Sequence, residues 1–321
     1  MRTGRSLPLK AFGILLALVT AAAAQQYPTK PIRLIVPFAP GGSNDIIGRA
    51  IATPLGERLG RQVVVENRAG AGAVVGTELV ANAPKDGYTL LINSLSHAIN
   101  PWLYKLPYDP IKGFAPVAMI ASGPIVLVVH PSLEAKTVRE LVALAKARPG
   151  QLQYASAGVG TFTHLAAELF KIAAGVNLLH VPFRGGGPAI IDVVGGHTKV
   201  AFANLLTAMP HIRSGKLRTL GVGGKSRISL LPDVPTVIEA GVNYEATNWW
   251  GILAPAGTPA AIVERLHKEV TVLQESSAVQ KLLAAEGAEV VRMSSADFGA
   301  FLENEMRKWG RVVKEGGIKA Q

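Results

Sequence analysis

Two glycine-rich turns carry most of the residues of this sequence that could do chemistry. Each turn follows an apolar run and precedes an amphipathic helical pattern, the first within residues 34–50 and the second within residues 154–169. A helix that begins at such a turn leaves free backbone N–H groups, and the positive end of its dipole, facing whatever lies beyond the strand. Two turns of this kind predict a cleft that holds a small anion between two α/β units.

Residues suited to catalysis are few. The sequence has no G-x-S-x-G elbow, no H-E-x-x-H motif, no Walker A lysine motif and no Cys/His ligand set. A secreted hydrolase that uses Ser156 and His164 is the enzymatic alternative, but eight residues of separation do not by themselves bring the two together. We therefore expect no enzyme and no cofactor. We also expect no metal site, because the histidines lack ligand-type spacing.

Charged and aromatic residues near the turns have two interpretations each. Arg68 and Arg184 adjoin glycine-rich turns and could grip a carboxylate, although a salt bridge that holds a loop is favoured for Arg68. Asp45 is most simply a first-turn residue that complements the helix dipole. Trp249 and Trp250 could line a pocket or pack in the core, and the sequence does not decide between these.

Length and composition are those of an ordinary globular protein. At 321 residues the chain is long for a single core, so two domains are expected. Apolar residues make up 49% of the chain and charged residues 17%, unlike a disordered or coiled-coil protein. Because there is no cysteine, neither a disulfide framework nor a thiolate metal site can form.

Residues 1–24 have the pattern of a cleaved export signal. Arg2, Arg5 and Lys10 precede an apolar run that ends in a small-residue cleavage site, and the run is too short and alanine-rich to span a membrane comfortably. We therefore expect a soluble, exported protein, periplasmic if the host has two membranes. After cleavage, 30 basic and 22 acidic residues give a formal charge of +8. The basic residues are scattered, so we expect anionic ligands and no nucleic acid.

Alternating strand and helix patterns predict parallel sheets with helical crossovers. In the first unit, strands are expected at residues 32–38, 63–66 and 88–92. Pro54 should kink or stop the helix after the first strand. Ligands of such sheets lie beyond the carboxyl ends of the strands, here residues 38–45, 68–72 and 94–97.

The crossing to a second unit is expected near residue 123. Apolar runs at 117–120 and 125–130 are separated by Ser122, Gly123 and Pro124, and the strand and helix alternation then repeats. A return strand is predicted at 248–255. The three helical patterns after it have no strands of their own, so we expect them to pack on the first unit.

Several segments, which follow one another in the same order along the chain, resemble the periplasmic solute receptors of tripartite tricarboxylate transporters, often called Bug receptors. They include PIRLIVPFAPGGSNDIIGR, VVVENRAGAGAVVG, SAGVGTFTHLAAELF and HVPFRGGGPAIIDVVGG, and with others they span nearly the whole chain after residue 24. The resemblance implies an α/β, two-lobe, type II periplasmic-binding-protein fold. Each lobe is then a mainly parallel sheet flanked by helices, with a ligand cleft between the lobes. We assign residues 25–123 and 248–321 to lobe 1 and residues 124–247 to lobe 2.

The same resemblance implies a function. It predicts a monomeric solute-binding protein that captures a small di- or tricarboxylate, or an aromatic carboxylate, and delivers it to membrane permease subunits. A sensory receptor for the same ligands is a second alternative. In such receptors, backbone amides, hydroxyls and bridging waters hold the carboxylate. Carried over by position, the ligand-binding residues are Phe38, Gly42, Ser43, Asp45, Ser94, Ser96, His97, Ser156, Gly158, Gly160, Thr161, His164, Arg184 and Asn204.

One departure from the family pattern concerns ligand choice. Where family members often have Phe-Asp-Asn, this chain has Phe202, Ala203 and Asn204. If that aspartate meets an amino or hydroxyl group in some members, Ala203 disfavours an amino acid and leaves room for a simple dicarboxylate or an aromatic acid. The sequence does not identify the acid, because pocket volume depends on loops and on the rotamers of Trp249 and Trp250.

Overall fold

A computed structural model describes residues 27–285, 287–315 and 317–319. The predicted export signal lies outside these residues. Of the helices in the described ranges, none is long and apolar enough to cross a membrane.

Strands from both lobes join into one curled sheet. In chain order they are β1 (Ile32–Val36), β2 (Val63–Asn67), β3 (Thr89–Ser94), β4 (Phe114–Val129), β5 (Gln153–Ser156), β6 (Leu179–Pro182), β7 (Val200–Asn204), β8 (Arg218–Val222), β9 (Thr247–Pro255) and β10 (Glu289–Val290). The spatial order is β2-β1-β3-β9-β4-β7-β5-β6, and β8 and β10 also pair with β4. β1 runs parallel to β2 and β3, and β5 runs parallel to β6 and β7. Each lobe thus keeps a parallel unit of the kind predicted.

Helices cover the faces of this sheet. They are α1 (Ser43–Leu59), α2 (Val74–Ala81), α3 (Ser96–Ile99), α4 (Val138–Ala147), α5 (Phe162–Ala174), α6 (Gly186–Val194), α7 (Leu205–Arg213), α8 (Ala260–Glu275), α9 (Ser277–Ala285) and α10 (Ser295–Glu315). Local sequence explains several ends. The Thr161 hydroxyl accepts the backbone N–H of His164 at the start of α5, and Gly175 ends that helix in the left-handed conformation, with φ 61°.

The first helix does not stop at its proline. α1 continues past Pro54 to Leu59 and ends at Gly60, which has φ 71°. The expectation of an early stop is therefore wrong. A glycine in the left-handed conformation, not the proline, ends the helix.

Strand β4 passes through both lobes. Up to Pro124 it pairs with β9, and from Ile125 onward it pairs with β7 and β8, all antiparallel. The two apolar runs around Gly123 are therefore one strand, and the predicted break between them is wrong. Proline has no N–H to give to a ladder, and here it stands where the strand changes partner. The lobe bounds assigned above stay a prediction.

The C-terminal helices pack on elements of the first lobe, as expected. α8 contacts β4 and α1, and α9 also contacts α1. The short strand β10, which the sequence analysis missed, pairs antiparallel with β4. Trp249 and Trp250 are both buried, and Trp249 packs edge-on against Phe298 of α10 with ring centroids 5.9 Å apart. Both tryptophans thus belong to the core.

Candidate functional site

A cavity lies between the lobes, where strand ends from both halves of the sheet meet. Its volume is about 330 Å³, partly open to solvent. The residues that line it are Phe38, Gly42, Ser43, Asn44, Ser94, Ser96, Ala157, Thr161, Phe162, Thr163, Gly186, Asn204 and Asn248.

Four helices of nine or more residues begin at this cavity. α1 starts at Ser43, α5 at Phe162, α6 at Gly186, and α7 directly after Asn204. The first N–H groups of a helix have no partner within the helix, and they carry the positive end of its dipole. Among the described residues, those that line the cavity include no charged side chain. The arrangement can bind a small anion through oriented dipoles, without an ion pair.

Serine hydroxyls in the cavity wall are positioned by protein donors. Oγ of Ser43 accepts the indole Nε1–H of Trp250 at 3.2 Å, and Oγ of Ser96 accepts the backbone N–H of Phe162 at 3.3 Å. Since each oxygen already accepts a hydrogen bond, its own O–H is left to donate. The wall therefore offers hydroxyl donors as well as backbone donors to an anionic ligand.

The two lobes touch around the cavity. The hydroxyl of Tyr104, from the first lobe, donates to the carbonyl oxygen of Val159, from the second, at 2.6 Å. At a second contact, a Cβ on Gly187 would lie 2.6 Å from the carbonyl oxygen of Pro40. The structure is therefore a closed form, and glycine at position 187 permits this approach.

Half of the predicted ligand-binding residues line the cavity. These are Phe38, Gly42, Ser43, Ser94, Ser96, Thr161 and Asn204. That they contact a ligand stays a prediction. The others lie nearby but have different surroundings.

Asp45 is directed into its own loop and not into the cavity. Its carboxylate accepts the backbone N–H of Gly41 at 2.9 Å, Nε–H of Arg49 at 3.0 Å and Nδ2–H of Asn67 at 3.0 Å. Burial acts to raise the pKa of this carboxyl, but the hydrogen bonds from Arg49, Gly41 and Asn67 outweigh burial and lower the pKa. Asp45 is a first-turn residue that braces the turn, which was its simplest interpretation.

His97 is a core residue. It is 2% exposed, its Nε2 lies 2.8 Å from the carbonyl oxygen of Pro110, and its Nδ1 lies 3.4 Å from Nδ2 of Asn93. Burial lowers its pKa to about 4, although the Pro110 hydrogen bond opposes the shift. The imidazole is therefore neutral near pH 7, and its buried contacts with Asn93 and Pro110 hold the segment after β3 from the core side.

Ser156 pairs with a histidine that the sequence analysis did not select. Its Oγ lies 2.6 Å from Nε2 of His180, and the ring of His180 stacks on that of His164 with centroids 4.2 Å apart. Burial lowers the pKa of His164 to about 4, and burial together with the His164 charge lowers that of His180 to about 3. Both rings are neutral near pH 7, which makes this stacking possible.

The surroundings of His180 assign its proton. Among the described residues, Nδ1 of His180 is buried without a partner, and a bare acceptor there costs less than an orphaned N–H. Nε2–H then donates to Ser156, whose hydroxyl donates to the carbonyl oxygen of Gly158 at 3.3 Å. In this tautomer the imidazole cannot take the serine proton. The Ser156–His164 pair is not formed, because Nδ1 of His164 accepts the backbone N–H of Gly160 at 3.3 Å.

Arg184 and Gly158 line a wider groove outside the cavity. The space in this outer groove is about 1040 Å³, including the part open to solvent, and the groove shares Phe38 and Ala157 with the cavity. The side chain of Arg184 is exposed, while its carbonyl oxygen accepts the backbone N–H of Ala39 from the other lobe at 3.2 Å. Arg184 therefore does not line the cavity itself, and its contact with a carboxylate stays a prediction.

Arg68 forms the predicted ion pair. Its guanidinium contacts the carboxylate of Glu66, which also accepts from Arg33 at 2.7 Å. Gly160, the other predicted glycine, lies against Tyr104, whose ring would be 2.6 Å from a Cβ at that position. Gly160 therefore serves the contact between the lobes.

The sequence analysis missed six residues of the cavity wall. They are Asn44, Ala157, Phe162, Thr163, Gly186 and Asn248. The first five are next to, or within two residues of, residues that it did select, so extending each turn by a residue or two would have found them. Asn248 has no local signal, because it belongs to β9, where only pairing with β4 brings it to the cavity.

Comparison with known proteins finds one family along most of the chain. Residues 47–318 match the family described as tripartite tricarboxylate transporter family receptor, TctC. The chain is 38% identical over 318 residues to Protein BugT of Bordetella pertussis, covering 97% of this chain and 98% of BugT.

Two solved structures with ligands are also similar. One is R. palustris Rpa4515 with adipate, at 35% identity and a TM-score of 0.89, covering 91% of this chain and 99% of that one. The other is MatC (Rpa3494) from Rhodopseudomonas palustris with bound malate, at 31% identity and a TM-score of 0.86, covering 89% of this chain and 100% of that one.

Proposed function

The chain belongs to the tripartite tricarboxylate transporter receptor family, and on that premise we propose that it captures a small carboxylate between its lobes. As an exported protein of the periplasm, it hands the closed, loaded form to the permease subunits of such a transporter. The ligand class that we favour is an aliphatic dicarboxylate.

The observation that carries this proposal is the electrostatic character of the cavity, which offers hydrogen-bond donors but no charged side chain among the described residues. Four helix starts and the hydroxyls of Ser43 and Ser96 supply donors, while the lining residues carry no charge of either sign among those described. Donors without a fixed cation suit an anion that must be released again, because a buried ion pair is costly to break once formed. A cationic or purely apolar ligand would leave these donors unsatisfied.

Two further observations support a dicarboxylate. The related structures carry adipate and malate, both small dicarboxylates. Ala203 is buried behind the wall and offers no carboxylate to an amino group. Both points agree with a ligand that has neither a large ring nor an ammonium.

Closure supplies the means of signalling to the permease. A ligand shifts a two-state equilibrium only through contacts that differ between the states. The contacts of Tyr104 with Val159 and of Gly187 with Pro40 join the lobes, and the cavity is lined from both sides. A ligand bound between the lobes would therefore favour the closed surface that a permease could read.

A ligand screen tests the proposal. Protein comprising residues 25–321 is heated with malate, adipate, citrate, benzoate, nicotinate or glutamate, and the unfolding temperature is recorded. A ligand at about a hundredfold its Kd adds roughly 2.7 kcal/mol of stability, so malate or adipate should raise the Tm by a few degrees. Glutamate should give no shift. The proposal is refuted if no carboxylate shifts the Tm of protein that mass spectrometry shows to be free of a co-purified acid.

A further inference from the structure

Asn248 is a buried polar residue that bridges the two lobes beside the cavity. It is 1% exposed and lies in β9 opposite Gly123 of β4, where the chain crosses between the lobes. Its Oδ1 accepts the backbone N–H of Leu95 from the first lobe at 3.2 Å. Its Nδ2 donates to Oδ1 of Asn204, at the end of β7 in the second lobe, at 2.9 Å.

These two hydrogen bonds orient both amides. A backbone N–H can only donate, so the contact with Leu95 requires the oxygen of Asn248 to face it. The NH₂ group of Asn248 must then face Asn204, and the oxygen of Asn204 must face Asn248. Amide orientation is assigned from such a network, and this one starts from an unambiguous donor.

One polar group of this hydrogen-bond network has no partner in the described part of the chain. Nδ2 of Asn204 has no partner among the described residues, and Asn204 lines the cavity at the start of α7. The hydrogen bond from Asn248 directs the oxygen of Asn204 towards β9, so the group on the other side of the amide is the NH₂ donor. A carboxylate can accept from it, whereas a ligand NH₂ group at the same place cannot.

We propose that Asn248 is a positioning residue that fixes the Asn204 amide with its NH₂ group towards the ligand, so that the second lobe selects a carboxylate. This inference rests on the proposed function, since it concerns the ligand of that same cavity. Asn248 acts through Asn204. It also ties this selection to β9, which pairs with β3 and with β4 up to Pro124, so the donor from the second lobe is oriented only when the lobes keep this arrangement.

The variant Asn248→Asp reverses the network without removing the contact to Leu95. One carboxylate oxygen still accepts the Leu95 N–H, and the other cannot donate to Oδ1 of Asn204. The Asn204 amide then turns to donate to residue 248 and presents its oxygen to the cavity. Binding of adipate should weaken by about tenfold or more, because a hydrogen bond to a charged group is replaced by repulsion. The monoamide of adipic acid can place its NH₂ group there, so it should lose less.

Isothermal titration of adipate and its monoamide measures the effect as the ratio of their Kd values. In the wild type the acid should bind more tightly, and in Asn248→Asp the ratio should move about tenfold towards the amide. The new charge could shift this ratio by itself, so the same exchange is made in an Asn204→Ala background. There the inference predicts little change in the ratio, since no amide is left to turn.

A second variant keeps the test decisive if the buried carboxylate prevents folding. Asn248→Leu is close in shape and neutral, and it removes the orientation of Asn204. Combined with Asn204→Ala, its effect on adipate binding should be strongly non-additive. Additive effects, or an equal change of the ratio with and without Asn204, would overturn the inference. If the wild type binds adipate and the ratio of Kd values is unchanged in Asn248→Asp, only this inference is overturned. If the wild type binds no carboxylate, the proposed function is overturned as well.

Discussion

Replacing Gly187 by alanine should block closure while sparing the fold. Gly187 is the second residue of α6, and its backbone does not need a positive φ, so the helix itself accepts alanine. In the closed form, however, the added Cβ would lie 2.6 Å from the carbonyl oxygen of Pro40 and 3.0 Å from the carbonyl carbon of Gly41. Both contacts are with backbone, so no rotamer change can relieve them.

The size of the effect follows from this geometry. The Cβ falls about 0.8 Å short of the 3.4 Å at which ordinary contact begins, and overpacking of this kind typically costs about 1–3 kcal/mol. Because the strain exists only when the lobes meet, it should appear almost wholly in the binding equilibrium. The Kd for malate or adipate should rise by about 5- to 150-fold. Without ligand, the Tm should stay the same or rise, since alanine is a better helix former than glycine.

Calorimetric titration and small-angle scattering check the two halves of this prediction. The wild type should bind and become more compact with ligand, and Gly187→Ala should bind weakly and compact less. Gly299→Ala is the matched control. Gly299 lies in α10 and outside the cavity lining, and a Cβ there would make only an ordinary 3.4 Å contact with Pro116. A Gly187→Ala protein that binds as tightly as the wild type would show that the contact with Pro40 does not limit closure.

Two further predictions concern charge and pH. Arg184→Ala should change the equilibrium Kd for adipate by less than about threefold but slow association at low salt, because this exposed cation lines only the outer groove. Stopped-flow association rates at several ionic strengths would show the slower association. His97 has its pKa lowered to about 4 by burial, so as the pH falls below about 6.5 the unfolded chain takes up a proton that the folded chain refuses, and stability is lost down to about pH 4. Urea unfolding should therefore show that His97→Gln loses about 2 kcal/mol less than the wild type between pH 7 and pH 5, and an equal loss would contradict this burial.

Local patterns in the sequence were sufficient to locate the strand–turn–helix units. The turns before α1 and α5 lie where glycine, serine and threonine follow an apolar run, because those residues start helices and leave donors exposed. Asp45 and Arg68 also keep the roles that their neighbours in sequence indicate, a first-turn brace and an ion pair with Glu66. Interactions that span only a few residues can be inferred from residue type and spacing.

Pairing between distant segments decided the rest. Gly123 and Pro124 look like a break, yet β4 continues through them because β9 pairs with it up to Pro124 and β7 beyond. His180 meets Ser156 only because β5 and β6 pair with Tyr154 opposite His180, which places a residue 24 positions away beside the serine.

The sequence by itself determined the family, the alternation of strands and helices, and the helix starts that suit an anion, since these depend on order and on short-range hydrogen bonds. Tertiary structure alone decided which polar atoms remain free to meet a ligand. Leu95, Asn204 and Asn248 are far apart in sequence, and none of them shows from its type which end of an amide faces the cavity. A donor is available to a ligand only if no other part of the protein has taken it, and that depends on every segment packed around it.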